Sequence, residues 1–343
     1  MLKRIFSSVA RFLVRNELPS RSFRSMGGLA TVTVGAACSQ HIESATTKVH
    51  ALFERLEGEL STHRSDSFIS LLAENAGVAP LPVSEDTYRV LGLSQQFDEM
   101  SDGASDVTVA PLVNLWNFSG ASGRSEIPSH EAIRELMPLV DHRRMILKNR
   151  TAFLPEKGMA VDLGGIAKGY AVDRAFDLCR EAAVGDFLVD LSGNLRVSGC
   201  PGWGRSWEIG VRNPFDRSGI IGRVTLQGRR ALASSGSYER FIEVACQRYS
   251  HVINPRTGYP VTGTAGVTIL ANDATTADGL STSFFVVGLQ GAKRLLQKSL
   301  SADVLIVPDK YPPELWLTPG FVKVFTPIPE FSKAVRILRS ISL

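Results

Sequence analysis

Val161-Asp162-Leu163-Gly164-Gly165-Ile166-Ala167-Lys168-Gly169-Tyr170 runs from an apolar strand through two glycines into a helix. Glycine lets a backbone approach a phosphate closely, and the free N–H groups of a helix start attract the anion. Lys168 falls in the first turn, with its ammonium free to reach that phosphate. The segment is not a Walker A loop, since no G-x-x-x-x-G-K-[ST] occurs. Taken singly, a strand–Gly–Gly–helix turn also reads as structural punctuation. Outward from it, the helix extends over about 166–183 and a strand follows at 187–190. Upstream, 44–60 and 85–100 have the period of amphipathic helices. Downstream, strands separated by Gly-rich turns fill 207–253, and a strand at 266–270 leads into a helix starting near Thr275. Helices and strands interleave without a βαβ rhythm, which predicts an α+β fold. No G-x-G-x-x-G opens a βαβ unit, so a dinucleotide-binding oxidoreductase is set aside.

Composition narrows the class. A chain of 343 residues, 44% hydrophobic, buries a large core. It has no run of ~18 apolar residues of the kind that spans a membrane. The net charge of +4 sits at the ends. Lys3, Arg4, Arg11, Arg15, Arg21 and Arg24 oppose Glu17 at the start, and Lys333, Arg336 and Arg339 oppose Glu330 at the finish, so the middle is acidic. Nucleic acid wants a basic face on the folded domain, and that reading is rejected. Cys38, Cys179, Cys200 and Cys246 show neither a C-x-x-C pair nor a His at metal-ligand spacing, so free thiols are expected and zinc is not. Leu2, Ile5, Phe6, Val9 and Leu13 share a helical face opposite basic residues. With the Ser/Arg stretch that follows, residues 1–25 read as a leader: a mitochondrial transit segment in a eukaryote, or a basic helix lying on a membrane surface, with a plain disordered leader as the alternative. Val34-Gly35-Ala36-Ala37-Cys38 looks like a lipoprotein box, but its place after an alternating strand makes the match a chance one.

Three further stretches carry chemistry. Ala233-Ser234-Ser235-Gly236-Ser237-Tyr238-Glu239-Arg240 permits a tight approach and then offers an aromatic ring and two charges, although singly it is a turn entering a strand. His251, in Tyr249-Ser250-His251-Val252-Ile253-Asn254-Pro255-Arg256-Thr257-Gly258-Tyr259-Pro260, can take a proton from a hydroxyl at neutral pH. In Thr275-Thr276-Ala277-Asp278-Gly279-Leu280-Ser281-Thr282, Asp278 and Thr282 share one face of a helix. A carboxylate and a hydroxyl are hard donors suited to Mg²⁺. The alternative is capping by Thr275 or Thr276, with Asp278 near the positive end of its own helix dipole.

Together, in this order, the stretches resemble the FAD:protein FMN transferase (ApbE) family. The similarity runs over residues 26–325, and the D-L-G-G-I-A-K-G-Y-A-V-D run at 162–173 and the H-x-x-[DN]-P-x-T-G run carry it most specifically. The resemblance implies one large domain of T-fold-related architecture, with mixed, mainly antiparallel sheets and packed helices, followed by a tail at 326–343. It implies a Mg²⁺-dependent enzyme that binds FAD, moves FMN onto a Ser or Thr of an acceptor protein and releases AMP. By the same resemblance Asp278, Thr282 and the Gly165 carbonyl hold Mg²⁺, and Lys168 neutralises the pyrophosphate. Met26, Asp162, Gly164, Gly165, Tyr238 and Glu239 contact FAD, and His251 activates the acceptor hydroxyl. Hydrolysis of FAD to FMN and AMP, or flavin binding without turnover, are the competing readings. Many relatives are exported, which makes a periplasmic or membrane-associated site the expectation for a bacterial source. Several positions depart from the family pattern: Asn254 stands where an acid is usual, Ser105 and Val107 where Phe and Pro are, and Ser192-Gly193-Asn194 has lost one Gly. His63, Phe68 and Ala73 also depart. The chain carries no D-x-x-[ST]-[SGC]-A-[ST] acceptor motif, which argues against self-modification.

Overall fold

The computed structural model describes residues 18–118, 127–202, 204–216, 218–238, 241–244, 247–298 and 302–339. The expected leader helix and Glu239 lie outside the described residues, as does Cys246. Cys38, Cys179 and Cys200 are free thiols.

A nine-stranded sheet forms the frame: β1 (Ser20–Ser25), β2 (Gly28–Val34), β3 (Phe187–Leu191), β4 (Asn194–Ser198), β5 (Arg230–Gly236), β6 (Thr264–Ala271), β7 (Asp303–Pro308), β8 (Leu315–Leu317) and β9 (Val335–Ile337). Their spatial order is their chain order. Every neighbouring pair is antiparallel except β8 with β9. The α+β, mainly antiparallel expectation is met. Long insertions hang between adjacent strands, which is why a simple meander is hard to see in the sequence.

Alternation along the strands divides the interior. On β5, Ala231 and Ala233 face a helical layer while Leu232 faces a second apolar cluster on the opposite side. The helical layer is α1 (Ile42–Leu60), α2 (Glu85–Met100), α5 (Ala167–Glu181) and α6 (Ala274–Lys298). The opposite side is closed by a three-stranded sheet, Trp207–Arg212, Ile220–Leu226 and Phe325–Pro327. All of β6 is buried, as a central strand covered on both faces must be. A third, smaller core joins α3 (Ala110–Trp116) and α4 (His130–Leu136) to the hairpins around 241–260 through Leu112, Trp116, Ile133, Ile242 and Ile253. The Trp116 indole donates to the Gly258 carbonyl at 2.8 Å.

Both expected boundaries, at 25 and 325, fall on paired strands. The segment read as a leader ends in β1, which pairs with β2 along its whole length. The segment read as a tail, 326–343, supplies the last two residues of the strand Phe325–Pro327 and all of β9, both strands hydrogen-bonded into sheets. None of these three strands shows in the sequence, because three to six residues at a sheet edge alternate too briefly to stand out. Among the described residues no helix is long and apolar enough to cross a membrane.

Candidate active site

The Gly-Gly turn opens α5, and its N-cap, Ile166, has no side chain that can cap. The cap comes from another helix. Asp278 on α6, 4% exposed, accepts the Gly169 N–H through Oδ2 at 2.8 Å. The reverse also holds. Asp173 on α5 accepts the N–H groups of Ala274 and Thr275 at 2.8 Å each and the Thr275 hydroxyl at 2.5 Å. Each helix thus carries the carboxylate that satisfies the first free N–H groups of the other. Gly169 makes the crossing possible, since a Cβ there would stand 2.3 Å from the Ala274 carbonyl oxygen and 2.6 Å from the Asp278 Cβ. The capping alternative for Thr275, Thr276 and Asp278 is overturned in detail. Asp273 caps α6 through Thr276 N–H at 2.7 Å, and Asp278 serves the neighbouring helix.

Lys168, Asp162, Gly164, Gly165 and Thr282 gather at this crossing. Lys168 Nζ donates to the Gly164 carbonyl at 3.0 Å. The Asp162 carboxylate accepts the Gly164 N–H at 2.7 Å, and its own N–H donates to the Val107 carbonyl at 2.7 Å, so the turn is pinned from both sides. A Cβ on Gly165 would lie 2.8 Å from the Thr282 hydroxyl, which places that backbone against the side chain. Burial raises the Asp278 carboxyl, opposed by the charge of Lys168 and the Gly169 N–H. A buried carboxylate short of water, with a threonine hydroxyl one helical turn on and a glycine backbone alongside, is a set of hard oxygens that fits Mg²⁺.

The strand register brings more of the list to the same end of the sheet. Ser25 faces Gly28, Leu191 faces Asn194 and Gly236 faces Gly266, so three connections open there. Met26-Gly27 is a two-residue turn with φ of 50° and 71°, the left-handed pair a tight hairpin requires. The Met26 N–H donates to Glu57 Oε2 at 2.8 Å, and the half-buried side chain packs on the core. Ser192, at φ 55°, takes the left-handed place where a glycine is missing. Its hydroxyl compensates by accepting the Leu29 N–H at 3.2 Å.

Tyr238 is not brought to the Lys168–Asp278 cluster. Its ring is 7% exposed, lies against Gly236, and lines a small cavity with Arg212, Pro214 and Gly266 on the face of the sheet turned away from α6. His251 is half-buried in the bend between the strands Gln247–Ser250 and Ile253–Asn254. Its hairpin is anchored by Arg256, which donates to the Ser101 and Asp102 carbonyls at 3.1 and 2.8 Å. The anchor continues toward the crossing through Ser101 Oγ to Ser105 Oγ at 3.3 Å and Ser105 Oγ to Ser283 Oγ at 2.9 Å. Ser283 neighbours Thr282. Asn254 Oδ1 accepts the Arg256 N–H at 3.0 Å, a task that an acid or an amide performs equally.

Sequence reading missed Asp173, Arg256 and the buried group that Asp98 and His142 form around Asp106, itself a second choice of base after His251 together with Glu239. The last resembles a metal site but is saturated by donors. Asp106 accepts from Thr108 N–H at 2.8 Å, the Thr108 hydroxyl at 2.5 Å, His142 N–H at 2.9 Å and pairs with His142 Nδ1 at 3.0 Å. Asp98 accepts the Val107 N–H at 2.8 Å, a bond the usual proline would lack. The Asp106 hydrogen bond raises the His142 imidazole, and burial raises Asp98. With its oxygens so engaged, Asp106 is a poor substitute for His251 as a base.

Comparison with known proteins gives the family of the chain. Residues 26–306 match the ApbE family. The chain is 32% identical over 271 residues to an FAD:protein FMN transferase of Klebsiella pneumoniae, covering 78% of this chain and 83% of that one. It is 32% identical over 307 residues to that of Treponema pallidum, covering 82% and 84%. Among solved structures it resembles the ApbE protein of Thermotoga maritima with a TM-score of 0.78 and 28% identity, over 93% of this chain and all (100%) of that one. It resembles the flavin transferase ApbE of Vibrio cholerae with a TM-score of 0.77 and 26% identity, over 90% and 99%. The chain belongs to the ApbE family.

Proposed function

We propose that this protein transfers FMN from FAD to a Ser or Thr hydroxyl of an acceptor protein, releasing AMP, and that it uses Mg²⁺ to do so. The observation that carries the reading is the crossing of α5 and α6, where Lys168, the Gly164-Gly165 turn, Asp278 and Thr282 meet. An FAD pyrophosphate at this turn finds a helix start and an ammonium, both favourable to anions. Asp278, Thr282 and the Gly165 carbonyl hold the ion, which when bound neutralises charge building on the diphosphate oxygens. Met26, Asp162, Gly164 and Gly165 line the approach for FAD. Tyr238 and Glu239 are assigned to FAD by family resemblance only. The acceptor oxygen forms a bond to the FMN-side phosphorus, the bond to the bridging oxygen breaks, and AMP leaves with that oxygen. His251 takes the hydroxyl proton, because a Ser or Thr hydroxyl is a weak nucleophile without a nearby base.

The test is incubation with FAD, Mg²⁺ and a protein bearing the acceptor motif. An acceptor gaining the mass of FMN less one water, with AMP released in equal amount, is the expected result. Free FMN and AMP without an adduct would convert the reading to FAD hydrolysis. Neither product, with FAD bound, would reduce it to a flavin-binding protein. Undiminished AMP release in excess chelator would remove the metal from the proposal.

A further inference from the structure

We infer that Asp173 is a positioning residue for the divalent-metal site, acting through the start of α6. The inference rests on the reading of Asp278 and Thr282 as metal-binding residues. Asp173 never enters that donor set. Its carboxylate instead takes both leading N–H groups of α6 and the Thr275 hydroxyl, while Arg196 holds it from the sheet side at 2.9 Å. The Arg196 guanidinium is itself fixed, 4.0 Å from the Phe176 ring centroid. Arg196 is on β4 and Phe176 on α5, so Asp173 ties the helix bearing Asp278 and Thr282 to the helix bearing Lys168 and to the sheet below.

The geometry requires such a tie. Asp278 lies one turn past the N–H groups that Asp173 holds, and Thr282 one turn further. Lys168 lies before Asp173 on the other helix, and Gly165 in the turn that leads into it. The two halves of the site meet where Gly169 passes Ala274 too closely for a Cβ and donates its N–H to Asp278 at 2.8 Å. Without Asp173, the α6 start keeps Asp273 as its own cap but loses its fixed place against α5. The donor atoms would then exist without being held at one spacing, which weakens a metal more than it weakens a fold.

The test measures Mn²⁺ binding to the full-length protein by electron paramagnetic resonance, with unfolding followed in parallel. Asp173→Ala should weaken Mn²⁺ by roughly 10–100-fold, the usual cost of losing support behind metal ligands. Asp173→Asn, which keeps one acceptor oxygen, should fall between Asp173→Ala and the parent and guards against a variant that does not fold. Thr318→Ala is the control. It removes a buried hydroxyl bonded to Asp303 and the Val304 N–H at the far side of the sheet, and should lower stability while leaving Mn²⁺ affinity unchanged. Asp173→Asn that is folded and binds Mn²⁺ like the parent, while Asp278→Ala does not bind, overturns this inference and spares the proposed function. Asp278→Ala binding Mn²⁺ like the parent overturns both.

Discussion

His251 and Asp278 carry different burdens in the proposed reaction, and single substitutions separate them. Asp278→Ala removes the one carboxylate of the proposed donor set together with a cap on Gly169. It should cost about 1 kcal/mol of stability, as cap losses do, while FMN transfer falls by orders of magnitude and partly recovers at high Mg²⁺. His251→Ala should leave Mn²⁺ and FAD binding near the parent's, slow transfer by roughly 10²–10⁴-fold, and show no recovery with Mg²⁺. Transfer at the parent rate would make the histidine structural. Asp190 gives a prediction of another kind. It is buried, accepts the Gly193 N–H at 2.7 Å, and burial pushes its carboxyl up to about 7. In the unfolded chain the group titrates near ~3.9. The stability from its neutral folded form is therefore complete below about pH 4 and is lost as pH rises toward 7. Asp190→Asn stays neutral and keeps an acceptor for Gly193, so its stability relative to the parent should climb between pH 4 and 7. Urea unfolding across that window reads the difference, and a flat difference would sink the idea.

At the scale of elements, the α5–α6 crossing is the critical contact. Gly169→Ala places a methyl group on the Ala274 carbonyl and should cost about 1–3 kcal/mol, the range for overpacking. Because it also parts Asp278 from Gly169, activity should fall further than stability explains. Chemical denaturation and a transfer assay on the same preparation check this. The helix at Glu85–Met100 shows the opposite case, in which an element announces its own ends. Ser84 caps Thr87 N–H at 3.1 Å, Glu85 and Asp86 fill the first turn, and Ser101 closes it, so the sequence expectation and the structure share both boundaries. Its placement was not announced. Asp86 is buried and takes Arg55, Tyr170 and Arg174, tying α2 to α1 and α5. Those partners are 31, 84 and 88 residues away.

For the whole molecule, the sheet decides what is dispensable. A chain beginning at Leu18 should retain stability and FAD turnover, since β1 stays paired. A chain beginning at Met26 loses β1, uncovers the β2 edge and frees the hairpin that fixes Met26, and thermal unfolding should show it destabilised. Equal melting of the two would show that the edge strand contributes nothing. The sequence by itself determined the fold class, because alternation and amphipathic period are local properties that survive without partners. It also determined the chemical vocabulary of the site: Gly164-Gly165, Lys168, His251, Asp278 and Thr282 lie in short runs whose residue types suit phosphate, proton and metal chemistry. Only the tertiary structure decided which of them meet. Asp278 could have capped its own helix, and it caps α5 because Gly169 lets the two helices touch. Tyr238 reads as a neighbour of the site in the chain and faces the other side of the sheet, because the turn after β5 folds its ring back over Gly236 on that side. Asp173 closes a motif that looks complete without it, and its hydrogen bonds span a hundred residues. Hydrogen bonds over such separations leave no periodic trace in a sequence, so the tie between the two helices becomes visible only when both are in place.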